Sequence, residues 1–130
     1  MLIEILLGIA AAILLILLYK KILPGKVYGI WGSGLIIAAL IYVIFAVVAQ
    51  NWEWLPWELG GLVLYTIPVI LSRKISPVFL AIGWLLHVLW DVLLHSGGHP
   101  GYVPSWYPGA CLGFDIVIAV YIFWYYWQKR

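Results

Sequence analysis

The stretch VYGIWGSGLIIAALIYVIFAVVA, residues 27–49, carries no charge from end to end. A helix crossing a hydrocarbon core of ~30 Å needs ~20 mostly apolar residues, so this segment has the length and chemistry of a membrane span. The run before it, Leu2–Leu23, has the same character and is broken by Pro24-Gly25. Glu4 stands where a signal peptide would be basic, and the apolar run is too long for one. After it comes a tryptophan-rich turn, QNWEWLPWE (50–58), then a shorter apolar run, about Pro56–Ser72, that contains Pro68. A fourth run, Pro77–His95, is opened by Ser76-Pro77, a helix-start signal. The polar loop Ser96–Ser105 follows, and a fifth run extends from near Pro108 to Trp127. The expectation is an all-α, polytopic membrane helical bundle of five transmembrane helices, forming one domain over residues 1–130.

Composition agrees. Hydrophobic residues make up 66% of the chain and charged residues 9%, with a mean hydropathy of +1.09. A soluble domain carries roughly a quarter charged residues, so soluble globular and disordered classes are excluded. Seven basic and five acidic residues, net +2, are too few for a phosphate-tracking surface, which removes nucleic acid as a partner. The single cysteine rules out an intramolecular disulfide framework.

Five spans place alternate loops on two sides. Lys20, Lys21 and Lys26 then lie by the first loop, Arg73 and Lys74 by the third, and Lys129 and Arg130 at the C-terminus. All seven basic residues share one side, which the positive-inside rule makes cytoplasmic. The expected topology has the N-terminus outside and the C-terminus in the cytoplasm. All five acids and all three histidines fall in the opposite, outer half, so any chemistry is expected near the extracytoplasmic face of a plasma (inner) membrane.

The polar residues of the last two spans form a pattern. In GWLLHVLWDVLLH (83–95), His87, Asp91 and His95 are spaced i, i+4, i+8 and fall on one helical stripe, adjacent members ~6 Å apart along the axis. His99 follows four residues on, in the loop. In the fifth span, Asp115 lies ~10 Å below the outer end, level with His87 and Asp91, and Glu58 opens the third span near the level of His95. Gly109-Ala110-Cys111-Leu112-Gly113 is a GxxxG step that permits close helix approach. Such steps are also the faces through which a homo-oligomer would form.

An ionised group inside a bilayer is costly unless paired, hydrated or metal-bound. Histidine and carboxylate donors suit a divalent metal, zinc or iron, and three protein ligands with an open position describe a catalytic zinc site. The candidate ligands are His87, Asp91, Asp115, His95 and His99; the candidate catalytic groups are Glu58 and His95. Blander roles exist for each group but Asp115: a structural His87–Asp91 pair, solvated His95 and His99, Glu58 as a helix-dipole residue, Cys111 as a small packing residue. Asp115 is too deep for the surface and past the first helical turn.

These residues carry a resemblance. The "WE" opening the third span, "IGWLLHVLWDV" with His95 in the fourth, and "CLGFDIVIAVYIF" in the fifth resemble a family of small bacterial integral-membrane proteins, the domain of unknown function six-zero-one-zero, over Trp57–Phe123. That family carries a His-His pair where this chain has Leu94-His95, and its loop between the last two spans differs in composition. The resemblance implies no activity, but its matching segments contain Glu58, His87, Asp91, His95, Cys111 and Asp115.

The functional expectation is a membrane-embedded, metal-dependent enzyme of hydrolase type, acting on a membrane lipid or lipid-like small molecule, with the Gly/Pro-rich loop as a lid. With iron, the same ligands would serve a lipid oxygenase or desaturase. The alternatives are a metal-free acid/base isomerase or cyclase of an isoprenoid or lipid, and a non-catalytic metal-binding, proton-relay or structural subunit.

Overall fold

The computed structural model describes residues 1–129 and is all-helical. The helices are α1 (Leu2–Ile22), α2 (Val27–Val48), α3 (Leu55–Lys74), α4 (Val78–His95) and α5 (Tyr107–Lys129), with a short 3₁₀ turn at Ser96–Gly98. Each of the five is long and apolar enough to cross a membrane, which marks a multi-pass membrane protein. α3 is longer than its apolar run implies. It starts at Leu55, with Pro56 pre-set for a first helical turn, and extends through Arg73 and Lys74, polar residues that a hydropathy boundary leaves out. Pro24-Gly25 ends α1, with Gly25 at φ +81°. Asn51 makes the α2–α3 turn by accepting the Trp54 N–H on its side-chain oxygen at 3.1 Å.

Contacts between helices fix the register. Glu4 and Ile5 of α1 face Gly109 and Gly113 of α5, so these two run parallel. Tyr42 meets Asp91 and Trp31 meets Trp84, so α2 and α4 run parallel. Glu58 meets His95 and Pro68 meets Gly83, so α3 and α4 are antiparallel. Around the bundle the order is α1, α5, α4, α3, α2, and the backbones of the consecutive helices α1 and α2 do not approach one another.

Lipid tails are as apolar as leucine, so small residues and interhelical hydrogen bonds hold such a bundle together. Both are present. A Cβ on Gly113 would overlap the Ile5 carbonyl, and one on Gly8 would overlap the Ala110 carbonyl. The Gly109/Gly113 step is thus filled by α1 of the same chain, which removes it as a face for homo-oligomers. A Cβ on Gly83 would come within 2.8 Å of both Leu35 and the Pro68 ring, so this glycine admits α2 and α3 to α4 just below His87. The Trp84 indole N–H donates to the Trp31 carbonyl at 3.1 Å, and Trp31, Leu35, Trp84 and Ile118 form the centre of the apolar core.

Candidate metal centre

Packing α4 between α3 and α5 carries its polar stripe into the middle of the bundle. His87 and Asp91 are 0% exposed and Asp115 is 1% exposed. His87 Nδ1 lies 2.8 Å from Asp115 Oδ2 and 3.6 Å from Asp91 Oδ2. One ligand atom from each of the three residues falls within 4.8 Å of the others, so His87, Asp91 and Asp115 form a buried cluster that could hold a metal ion.

The donor set fits one. Zinc binds nitrogen and oxygen at ~2.0–2.2 Å, which puts neighbouring tetrahedral ligand atoms ~3.4 Å apart; the His87–Asp91 separation is near that value, and the His87–Asp115 hydrogen bond would open slightly to admit the ion. Two carboxylates and a neutral imidazole balance the charge of a divalent cation. Asp91 Oδ2 points into the cluster with no hydrogen-bond partner among the described residues. His87 Nε2 also has none, whereas the outer nitrogen of a metal-bound imidazole ordinarily has an acceptor.

Two tyrosines that sequence reasoning missed complete the surroundings. The Tyr42 hydroxyl donates to Asp91 Oδ1 at 2.5 Å. The Tyr65 ring stands edge-on to His87 at 4.9 Å between ring centres, and its hydroxyl donates to the Leu86 carbonyl. The one signal for Tyr42 in the sequence is a hydroxyl-bearing residue deep inside an uncharged span.

Glu58 and His95 belong to a second cluster. His95 Nε2 lies 2.9 Å from Glu58 Oε2, and His95 Nδ1 lies 2.7 Å from the His99 carbonyl oxygen. Both ring nitrogens therefore face acceptors. The Glu58 carboxylate also accepts the Trp90 indole N–H at 3.1 Å and the Tyr102 hydroxyl. Three donors from α4 and the following loop thus hold the Glu58 carboxylate. Burial and the Glu58 carboxylate push the Tyr102 phenol above its ordinary value.

The five-ligand set expected from the sequence thus divides. His87, Asp91 and Asp115 come together. His95 does not join them, because both of its nitrogens are engaged elsewhere. His99 is exposed, with its ring edge-on to Trp54, and only its backbone carbonyl reaches the cluster. The loop Ser96–Ser105, expected as a lid, is tied down through Tyr102, the His99 carbonyl and the buried Val103. The Tyr42 ring joins the two clusters: it stacks on His95 at 4.2 Å with 12° between planes while its hydroxyl holds Asp91.

A cleft of about 850 Å³ opens beside the first cluster. Its walls are α1 and α2, its floor is the upper half of α5 with Trp31 and Trp84, and Asp115 and Cys111 line it. Cys111 is half-buried and lies outside the three-ligand group. Comparison of the chain with protein-family profiles, with curated proteins and with solved structures found no match to any of them.

Proposed function

We propose that this chain is a membrane-embedded, metal-dependent hydrolase for a lipid-like substrate, with His87, Asp91 and Asp115 as the metal ligands. The observation that carries this reading is the convergence of three buried ligand groups, Asp91 with an unpartnered carboxylate oxygen and Asp115 lining an apolar cleft. Zinc or iron(II) suits the donor set; when bound, the metal would polarise an ester or amide carbonyl and bring a water toward ionisation near neutral pH. The residues of the chain do the rest. Asp115 faces the cleft, so the carbonyl reaches the site from that side. Tyr42 fixes the Asp91 carboxylate, and the surrounding aromatic rings keep bulk water out. Glu58 and His95 act as a positioning pair through Tyr42. The gathering of basic residues at one end supports a cytoplasmic lysine end and a site in the extracytoplasmic half of a plasma membrane, and the strings quoted from the last three spans support kinship with the family of unknown function six-zero-one-zero.

The test is hydrolysis of p-nitrophenyl palmitate by protein in lipid nanodiscs. The reading requires turnover that a chelator abolishes, that zinc or iron(II) restores, and that falls to background in Asp115→Asn and His87→Ala. Chelator-resistant turnover would refute it. A second reading, metal-free acid/base catalysis, draws on one feature: His87 Nδ1 sits on Asp115 while Nε2 is unpartnered, the disposition of a general base held by a carboxylate. Chelator-resistant activity lost in His87→Ala would favour it.

A further inference from the structure

The gap between α1 and α2 is the least explained feature of the bundle. Consecutive membrane helices joined by a short turn ordinarily pack together, yet these two backbones stay apart along their length. Near the lysine end one side-chain bridge spans the gap, Tyr19 edge-on to Trp31 at 5.3 Å. The faces turned to the gap mix small residues with Leu7, Leu15 and Tyr19 of α1 and Ile30, Ile37 and Ile41 of α2. Gly8 and Ala11 line it from α1; Gly29, Ser33, Gly34 and Ala38 line it from α2.

We infer that this cleft is the binding groove for the hydrocarbon tail of a single-chain lipid, which enters sideways from the bilayer between α1 and α2. The inference deepens the proposed function, because it rests on Asp115 marking the reactive end. Size decides the occupant. Glu4 and Leu23, both lining residues, are ~28 Å apart along α1 at 1.5 Å rise per residue. Over that length the cleft volume of about 850 Å³ gives a mean cross-section of about 30 Å². A helix ~10–12 Å across needs about 80–110 Å², so a helix of a second copy does not fit, while one extended chain does. Polarity gives the direction. Trp106, Tyr107, Cys111 and Asp115 line the end near the clusters; below them the lining is Leu15, Ile30, Trp31 and Tyr19, closing on Lys26. The carbonyl of the lipid belongs at the level of Asp115, and its tail runs ~13 Å from the level of Ala38 to that of Gly29.

Photolabelling with palmitic acid bearing a mid-chain diazirine tests this on the full chain in nanodiscs after chelation, so that the result does not depend on the metal. Expected labelling falls on the half-buried Leu15 and Ile30 and the buried Trp31 of the cleft lining and is competed by unlabelled palmitate. Ala38→Phe lowers it severalfold, while Val63→Phe, on the exposed lipid face of α3 and outside the cleft, leaves it unchanged. Gly29 has open space around its missing Cβ, so Gly29→Leu sets its first side-chain carbon in a free position. That variant loses labelling from a probe with the diazirine at the chain terminus and keeps it from the mid-chain probe. Labelling confined to lipid-facing residues, undiminished labelling in Ala38→Phe, or equal cleft labelling by the same diazirine on a diacyl phosphatidylcholine would each overturn the inference. Metal binding without cleft labelling would sink the groove alone; cleft labelling without metal would sink the metal centre alone.

Discussion

Replacing Tyr42 by phenylalanine removes one oxygen atom and leaves the ring that stacks on His95. The lost hydroxyl is the donor to Asp91 Oδ1 at 2.5 Å, and the other carboxylate oxygen has no hydrogen-bond partner among the described residues. The phenol therefore sets the orientation of Asp91. A hydrogen bond to a charged group contributes ~1.5–3 kcal/mol in soluble proteins, whereas interhelical bonds in membranes average ~0.6 and reach ~1.7 kcal/mol. The expected loss of stability in the metal-free protein is about 1–2 kcal/mol, measured by SDS titration in bicelles. In the loaded protein the phenol is an outer partner of a metal ligand, and losing such a partner weakens metal binding ~10–100-fold, or ~1.4–2.8 kcal/mol. Competition against a chromophoric chelator reads that shift. Unchanged stability together with unchanged metal affinity would show that the phenol does not hold Asp91, and the assignment of Asp91 as an oriented ligand would fail.

Gly113→Val places side-chain atoms where the Ile5 carbonyl lies; overpacking costs ~1–3 kcal/mol, so the detergent-solubilised variant should unfold well below the parent in a thermal scan, and equal melting would refute the α1–α5 docking. His99→Ala removes an exposed ring and should change stability by less than ~0.5 kcal/mol and metal affinity not at all; loss of metal in a folded His99→Ala protein would restore it as a ligand. The raised Tyr102 phenol gives an alkaline dependence with a defined sign. Above the ordinary tyrosine range, near pH 10, the unfolded chain releases this proton while the folded one retains it, so stability is intact below that range and falls as pH rises beyond it. Tyr102→Phe should remove this component of the decline, which pH-dependent unfolding of both proteins checks.

The spans were legible because membrane thickness imposes one length on every crossing, and hydropathy reads length directly. The ends of α3 were less so: Arg73 and Lys74 continue the helix beyond its apolar run, since backbone hydrogen bonding does not stop where the lipid does. The grouping of His87 with Asp91 follows from i, i+4 spacing on a helix, and the level of Asp115 from counting along α5. The same counting put His95 and His99 beside them, whereas the structure keeps both rings outside that group. The chain leaves the helix after His95 and turns through Gly97 and Gly98 at positive φ, so it brings the His99 carbonyl, not its ring, to His95. Tyr42 and Tyr65 escaped notice because each comes from a position that reads as packing or interface, and their partners lie on other helices. The Gly109/Gly113 step announced a close neighbour without saying which; α1 of the same chain fills it.

Elemental analysis of the purified protein, alongside His87→Ala and Asp115→Asn shown by circular dichroism to be folded, measures the central claim most directly. The account predicts one equivalent of zinc or iron per chain in the parent protein and a loss of metal in both variants. A folded parent that holds no metal after incubation with zinc or iron(II), or variants that retain a full equivalent, would contradict it.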